Sequence, residues 1–172
     1  MTDKSLIARA ASGDDRIREI IYEKYYHHVY RYCVYRTGSL HDAEDLAQET
    51  FLRLYRYTDL QHKNTKAYVL KVACNVCNSY FAGRGADQPL DESIPAGMEV
   101  DEEQQAVRRA VAALPDDMRQ VIILYYYNDL KLSHIAEILS VPLSTVKTRL
   151  RRGRQKLKQI LIQEGSVKVA SL

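Results

Sequence analysis

The sequence predicts an all-α protein made of two small helical domains joined by an acidic linker. The chain of 172 residues holds only 7 Gly and 4 Pro, too few for a turn-rich β architecture of that size. Apolar residues recur at steps of three and four along most of it, the period of an amphipathic helix. Between Gly83 and Glu103 that period vanishes, and Gly85, Pro89, Pro95 and Gly97 stand among Asp87, Asp91, Glu92, Glu99, Asp101 and Glu102, the composition of a linker. The expected domains are therefore residues 1–84 and 104–163, with the linker at 85–103 and a short tail at 164–172. A chain this long can bury one modest core or two small ones.

Within the first domain, Leu6, Ile7, Ala10, Ile17, Ile20, Ile21, Tyr25, Val29, Tyr32 and Cys33 fall at helical spacing with a break at Gly13-Asp14, so two helices are expected up to Arg36. Gly38-Ser39 ends the second. Ser39, followed three residues later by Asp42, has the spacing of a capping box that opens a third helix through about Arg56. Asn64 or Thr65 caps a fourth, which carries Tyr68, Leu70, Val72, Ala73, Val76 and Tyr80 toward Gly83. Beyond the linker, Val107, Ala110, Val111 and Leu114 make a short helix ended by Pro115, and Asp116-Asp117 suit the positive N-terminus of the next. Two more follow, at Leu132 to Leu139 and Leu143 to about Ile162.

Several classes of function are excluded by what is missing from the pattern. No signal-peptide core opens the chain and no apolar run approaches about 18 residues, so a cytoplasmic location is expected. Three cysteines, an odd number, fit reduced thiols rather than a disulfide framework. Cys74 and Cys77 form one C-x-x-C without a second pair, and read as buried thiols rather than half a zinc site. The acids Asp42, Glu44, Asp45 and Glu49 have no His to complete a metal set. His27 and His28 should diverge on a helix, and no Ser-His-Asp set, phosphate-cradling Gly loop or H-E-x-x-H motif occurs. The expectation is a non-enzyme with no cofactor, no metal and no small-molecule substrate.

The net charge of +3 is small but polarised. Lys147, Arg149, Arg151, Arg152, Arg154, Lys156 and Lys158 follow one another with no acid between Ser140 and Ile162, whereas ordinary surface helices intersperse signs. From Leu132 onward, Ile135, Ala136, Leu139, Val141 and Val146 sit where a helix-turn-helix needs buried or small residues. Ser140 occupies the turn position where Gly is common, so Ser must accept a less comfortable backbone there, or the turn differs. Val146, Leu150, Gly153, Leu157 and Leu161 mark the buried side of the second helix. Ser144, Thr145, Lys147, Thr148, Arg151 and Arg152 are then the candidate DNA contacts, because Lys and Arg neutralise phosphates and Arg also pairs with guanine edges in the major groove.

The run Ser144-Thr145-Val146-Lys147-Thr148-Arg149-Leu150-Arg151-Arg152-Gly153-Arg154, after Leu132-Ser133-His134-Ile135-Ala136-Glu137-Ile138-Leu139, resembles the promoter minus-thirty-five reader of extracytoplasmic-function (ECF) sigma factors. Response regulators end in a similar helix-turn-helix, so the N-terminal half decides. There Asp42-Ala43-Glu44-Asp45-Leu46-Ala47-Gln48-Glu49-Thr50-Phe51-Leu52-Arg53-Leu54 resembles the core-binding helix of that family. Tyr68-Val69-Leu70-Lys71-Val72-Ala73-Cys74-Asn75 is similar to the family's Trp-Leu-Tyr-Arg-Ile-Ala-Arg-Asn, which melts and reads the minus-ten element.

The resemblance implies that Asp42, Asp45, Gln48, Glu49, Phe51 and Leu52 dock on RNA polymerase core, at the clamp coiled coil of the largest subunit. It implies that Tyr68, Lys71, Asn75, Asn78 and Ser79 meet promoter DNA at the minus-ten element, with Asn75 lining the pocket for a flipped base. An anti-sigma factor is a further implied partner. The sequence departs from the family at Tyr68, Cys74, Ala82 and Gly83, which stand where Trp and basic residues are usual, leaving Lys66, Lys71 and Arg84 to attract phosphate. The competing reading is a stand-alone dimeric helix-turn-helix regulator, which would bind its DNA without polymerase.

Overall fold

The computed structural model describes residues 3–56, 64–84 and 101–165. Its helices are α1 (Asp3–Ala11), α2 (Asp15–Thr37), α3 (Leu40–Arg56), α4 (Thr65–Arg84), α5 (Glu102–Ala112), α6 (Asp116–Ile122), α7 (Leu132–Leu139) and α8 (Leu143–Gln163). A π turn, Ile123–Tyr127, continues α6. No helix among the described residues is long and apolar enough to cross a membrane.

Local chemistry sets the boundaries of the first four helices. Gly13 takes φ 98° after α1, and Asp14 then caps α2 by accepting the Ile17 N–H at 3.3 Å. The Arg9 guanidinium, 2.6 Å from the Asp14 carboxylate, ties the end of α1 to that cap. Gly38, at φ 72°, closes α2 with its N–H on the Val34 carbonyl, the left-handed ending that glycine permits. Ser39 Oγ accepts the Asp42 N–H at 3.2 Å, which is one half of the expected capping box. The other half is missing: the Asp42 carboxylate accepts a bond from Tyr80 Oη on α4 at 2.7 Å instead. Asn64 is the residue that caps α4, through its Oδ1 and the Ala67 N–H at 2.9 Å.

Helices α1 to α4 pack around Ile21, Val29, Tyr32, Leu54 and Leu70, all essentially inaccessible. Cys33, Cys74 and Cys77 are buried in the same core, with Cys33 Sγ and Cys77 Sγ 3.8 Å apart across α2 and α4. Burial pushes the Cys74 thiol up to about 12, so it stays protonated and packs as a small apolar group.

In the second half, α8 lies across α6, α5 and α7. Val146, Leu150 and Leu161 are buried, and Gly153 lets the α6 and α8 backbones approach. A Cβ there would stand 3.0 Å from Ile122 Cγ1 and 3.5 Å from Met118 Cβ. Ser140 adopts φ 53°, ψ 45° between α7 and α8, a left-handed backbone and so the less comfortable conformation that Ser was expected to accept there. Glu102 and Glu103 form the first turn of α5, where acids meet the positive helix end. The rest of the expected linker, residues 85–100, lies outside the described residues.

The two halves meet along one seam. Tyr35 on α2 stacks on Tyr127 of the π turn at 3.8 Å, Arg31 donates to the Tyr127 carbonyl at 3.2 Å, and Asn128 Nδ2 donates to the His28 carbonyl at 3.0 Å. Arg119 Nη1 reaches the Arg36 carbonyl at 3.3 Å. Helix α7 also lies against α4, and a single apolar cluster runs through both halves. His27 and His28 do not diverge: their ring centroids are 3.9 Å apart, the half-buried His28 ring lying against that of exposed His27. Burial, with Lys66, His27 and Arg31 beside it, pushes His28 from its ordinary 6.5 down to about 4, against the opposing pull of Asp129.

Two measurements check this packing. Replacing Gly153 by Val should lower stability to urea by about 1–3 kcal/mol, since α8 must lift off Ile122; an unchanged midpoint would contradict the close approach. Because the folded state holds His28 neutral, its contribution is complete above pH 6.5 and is lost as pH falls from 6.5 toward 4. Thermal melts should show stability falling across that window, with a shallower fall in His28→Gln; identical pH profiles for the two proteins would contradict the buried neutral ring.

Candidate nucleic-acid interface

Helix α3 presents a mixed acidic and apolar face. Asp45, Gln48 and Leu52 are exposed, Leu52 by 51%. Glu49 is half-buried and paired with Arg53 at 2.6 Å. Asp42 is half-buried too, engaged by Tyr80 and by Arg84 at 3.4 Å. Phe51 corrects the expectation: at 3% exposure it faces inward, its ring 4.9 Å from Tyr22 and 6.4 Å from Tyr26. It supports the face from behind. Tyr22 and Ile20 on α2 are exposed as well, adding apolar surface that the α3 motif does not include.

On α4, Asn75, Asn78 and Ser79 are exposed and Lys71 is half-buried. Tyr68 is the second correction, since it is 6% exposed and belongs to the core, where its ring has no face left for a base in this conformation. The stacking rings on the surface of α4 are Tyr80 and Phe81, both half-buried and set edge to face at 5.2 Å. Burial first, then the bond to Asp42, pushes the Tyr80 hydroxyl up to about 12, so it remains a donor. The expected cations are partly spent: burial lowers Lys66, and Arg84 is held by Tyr80 and Asp42.

Sequence reasoning missed Arg36. Its side chain, on α2, is fully buried, donating Nε and Nη2 to both oxygens of Asp116 at 2.9 and 3.0 Å. Nη1 donates to Tyr32 Oη at 2.7 Å and Nη2 to Asn78 Oδ1 at 2.9 Å. The available signal was the i,i+4 spacing of Tyr32 and Arg36 inside an apolar stretch.

On α8, Ser144, Lys147, Arg151 and Arg152 are exposed, and Thr145 and Thr148 half-buried. Thr148 Oγ1 bonds back to the Ser144 carbonyl at 3.0 Å. The cations thus project from a helix whose opposite side is fixed by Val146, Leu150 and Gly153. Arg149 faces inward toward Asp117 at 3.7 Å. Arg154 lies over the Tyr125 and Tyr126 rings at 5.5 and 5.4 Å, bonding the Tyr126 hydroxyl. Among the described residues no three His, Cys, Asp or Glu side chains converge as metal ligands.

A helical protein with a cation-lined helix-turn-helix in one half and an exposed polar helix face in the other belongs to the class of DNA-reading transcription proteins. The model of sigma-70 region 2 matches residues 21–86 and that of sigma-70 region 4 matches residues 104–157. The chain is 32% identical to the ECF RNA polymerase sigma factor SigW of Bacillus subtilis over 183 residues, covering 94% of this chain and 97% of that protein. It is 27% identical to the ECF RNA polymerase sigma-E factors of Salmonella typhimurium and Escherichia coli, over 90% of this chain and 92% of each. Two solved structures share its fold at 20% identity. One is the sigma factor RpoE in complex with the anti-sigma factor NepR from Bartonella quintana, with a TM-score of 0.72 covering 83% of this chain and 95% of that one. The other is CnrH in complex with the cytosolic domain of CnrY, with a TM-score of 0.74 covering 95% and 99%.

The chain belongs to the ECF RNA polymerase sigma factors. It directs RNA polymerase to promoters, in a family of non-catalytic initiation factors. The match of residues 21–86 to sigma-70 region 2 leaves no support for a stand-alone dimeric regulator.

Proposed function

We propose a division of labour between the halves. Residues 1–84 dock on core polymerase and recognise and melt the minus-ten element, residues 104–163 read the minus-thirty-five element, and residues 85–103 join them. The observation that carries this is the arrangement of two exposed surfaces on opposite halves: the acidic and apolar face of α3, and the acid-free cationic face of α8. Asp45, Gln48, Glu49 and Leu52 form the polymerase-facing surface, an apolar centre with a polar rim. Asp42 lies at its edge. On α4, Asn75, Asn78 and Ser79, with Lys71, face the melted strand. Ser144, Thr145, Lys147, Thr148, Arg151 and Arg152 meet the minus-thirty-five duplex.

The chain acts in the cytoplasm, where core polymerase and promoters are, and catalyses no reaction of its own. An anti-sigma factor is its expected regulator, a reading supported by the partners named for the two structures that share its fold.

Reversing charge on the polymerase-facing surface tests the first assignment. Asp45→Lys should weaken capture of purified core polymerase by about tenfold or more, without change in helical content; undiminished capture would remove α3 from the interface. The second assignment separates reading from positioning on α8, since base contacts alter preference whereas phosphate contacts lower affinity for every sequence. Arg151→Ala should flatten discrimination at one minus-thirty-five base pair by about 1–3 kcal/mol, while Lys156→Ala should weaken all promoters alike. Holoenzyme competition across single-base variants measures both. A wild-type ranking in Arg151→Ala together with a changed one in Lys156→Ala would reverse the orientation of α8 in the groove.

A further inference from the structure

The largest fully buried side chain among the described residues is a cation, Arg36. Among the described residues, three of the groups on its guanidinium belong to its own half: Tyr32 on the same helix, Asn78 on α4, and the Phe81 ring 5.2 Å from the guanidinium carbon. From the other half Asp116 bonds the guanidinium, while Arg119 donates to the Arg36 carbonyl. The Asp116 side chain is itself 53% exposed, against 2% for Arg36. The N-terminal half thus builds a seat for a guanidinium with its fork turned toward the seam, and the C-terminal half supplies a half-exposed carboxylate to it.

That fork binds a carboxylate and a phosphate with the same two-point geometry. We infer that Arg36 and Asn78 form a phosphate site for the promoter strand at the minus-ten element, which Asp116 occupies in the free chain, so that promoter DNA and the C-terminal half compete for one guanidinium. The inference rests on the reading of α4 as the minus-ten helix.

Three features support it. First, the closed arrangement cannot persist on a promoter. Elements named minus-ten and minus-thirty-five lie about 25 base pairs apart, on the order of 85 Å at about 3.4 Å per pair, yet α7 of one reading half lies against α4 of the other. Residues 85–101 span at most about 60 Å when fully extended, so the halves must separate completely, and Asp116 leaves Arg36. Second, the seam is built to part. The buried side-chain atoms that lack a protein partner among the described residues, His28 Nδ1, Arg119 Nε and Asn128 Oδ1, all sit along it, and opening would hydrate them. Third, α4 offers few cations of its own: Lys66 is half-buried and Arg84 is drawn to Asp42, which leaves Lys71, while Arg36 already touches Asn78.

The two members of the pair should respond with opposite signs. With the full-length chain and a fluorescent single strand of mixed sequence, roughly 20 nucleotides long, binding is read by anisotropy over a range of salt. Asp116→Asn should bind about fivefold or more tightly than wild type. Arg36→Ala should bind more weakly than wild type, with the salt slope reduced by about 0.7, one phosphate on a single strand. The double variant should match Arg36→Ala. If the pair were only a clasp, either substitution would open the chain, so Arg36→Ala binding as tightly as Asp116→Asn overturns the phosphate site. Arg36→Lys, which keeps the charge and loses the fork, gives the same answer should the alanine variant not fold: binding tighter than wild type overturns the site. Asn75→Ala tests the underlying reading separately. If it leaves binding unchanged, α4 is not the strand-binding helix; if it weakens binding while Arg36→Ala does not, α4 keeps its role and the phosphate site falls.

Discussion

A guanidinium cannot be buried without partners for its fork, and the seat of Arg36 constrains much of what surrounds it. Tyr32 must lie one turn earlier on α2 to accept from Nη1, Asn78 must project from α4 at the same level, and α6 must begin at the seam so that Asp116 reaches both donors. Pro115 places that start. As the cap preceding α6, it ends the α5 connection and puts Asp116 and Asp117 in the first turn, where the helix end favours acids. One acid then meets Arg36 and the next meets Arg149 of α8. The start of α6 therefore sets two interfaces at once: the seam between the halves and the packing of the reading helix.

The same economy is visible on α8. Its buried side consists of Val146, Leu150 and Gly153 in successive turns, and the absence of a side chain at Gly153 brings α8 onto Ile122. With that side fixed, Lys147 and Arg151 can only point outward. On α3 the inward ring of Phe51 against Tyr22 and Tyr26 plays the equivalent part, holding Asp45, Gln48 and Leu52 on the open side. Each interaction surface is thus the far side of a packed helix, and its register follows from the core beneath it.

Much of this was legible in the sequence because it is local. The break at Gly13-Asp14, the stop at Gly38, a cap at Asn64 or Thr65, both helices of the helix-turn-helix and the unusual backbone at Ser140 all follow from spacing and from residues within a few positions of each other. What could not be read depends on distant partners. Arg36 and Asp116 are 80 positions apart, and nothing near either residue signals the other. The π turn at Ile123–Tyr127 carries Tyr127, whose ring meets Tyr35 across the seam, a partner 92 positions away. Phe51 and Tyr68 were assigned outward because their motifs carry contact residues, but an aromatic ring within a motif can serve by packing beneath it. His27 and His28 depart from the simple divergence rule, their rings meeting at 3.9 Å, and their adjacency in the sequence does not signal it.

The central claim is that one seam holds the two reading halves together in the free chain and that transcription initiation requires them to part. Distance measurement between probes at Glu19 on α2 and Gln159 on α8, both exposed, tests it most directly, and the three native cysteines are buried, leaving introduced thiols as the labelled ones. In the free chain the account predicts a single distance, that of the closed structure, which lengthens by tens of Å when core polymerase and promoter DNA are both bound, as an element separation on the order of 85 Å demands. A distance already long in the free chain, or one unchanged on the promoter, would contradict it.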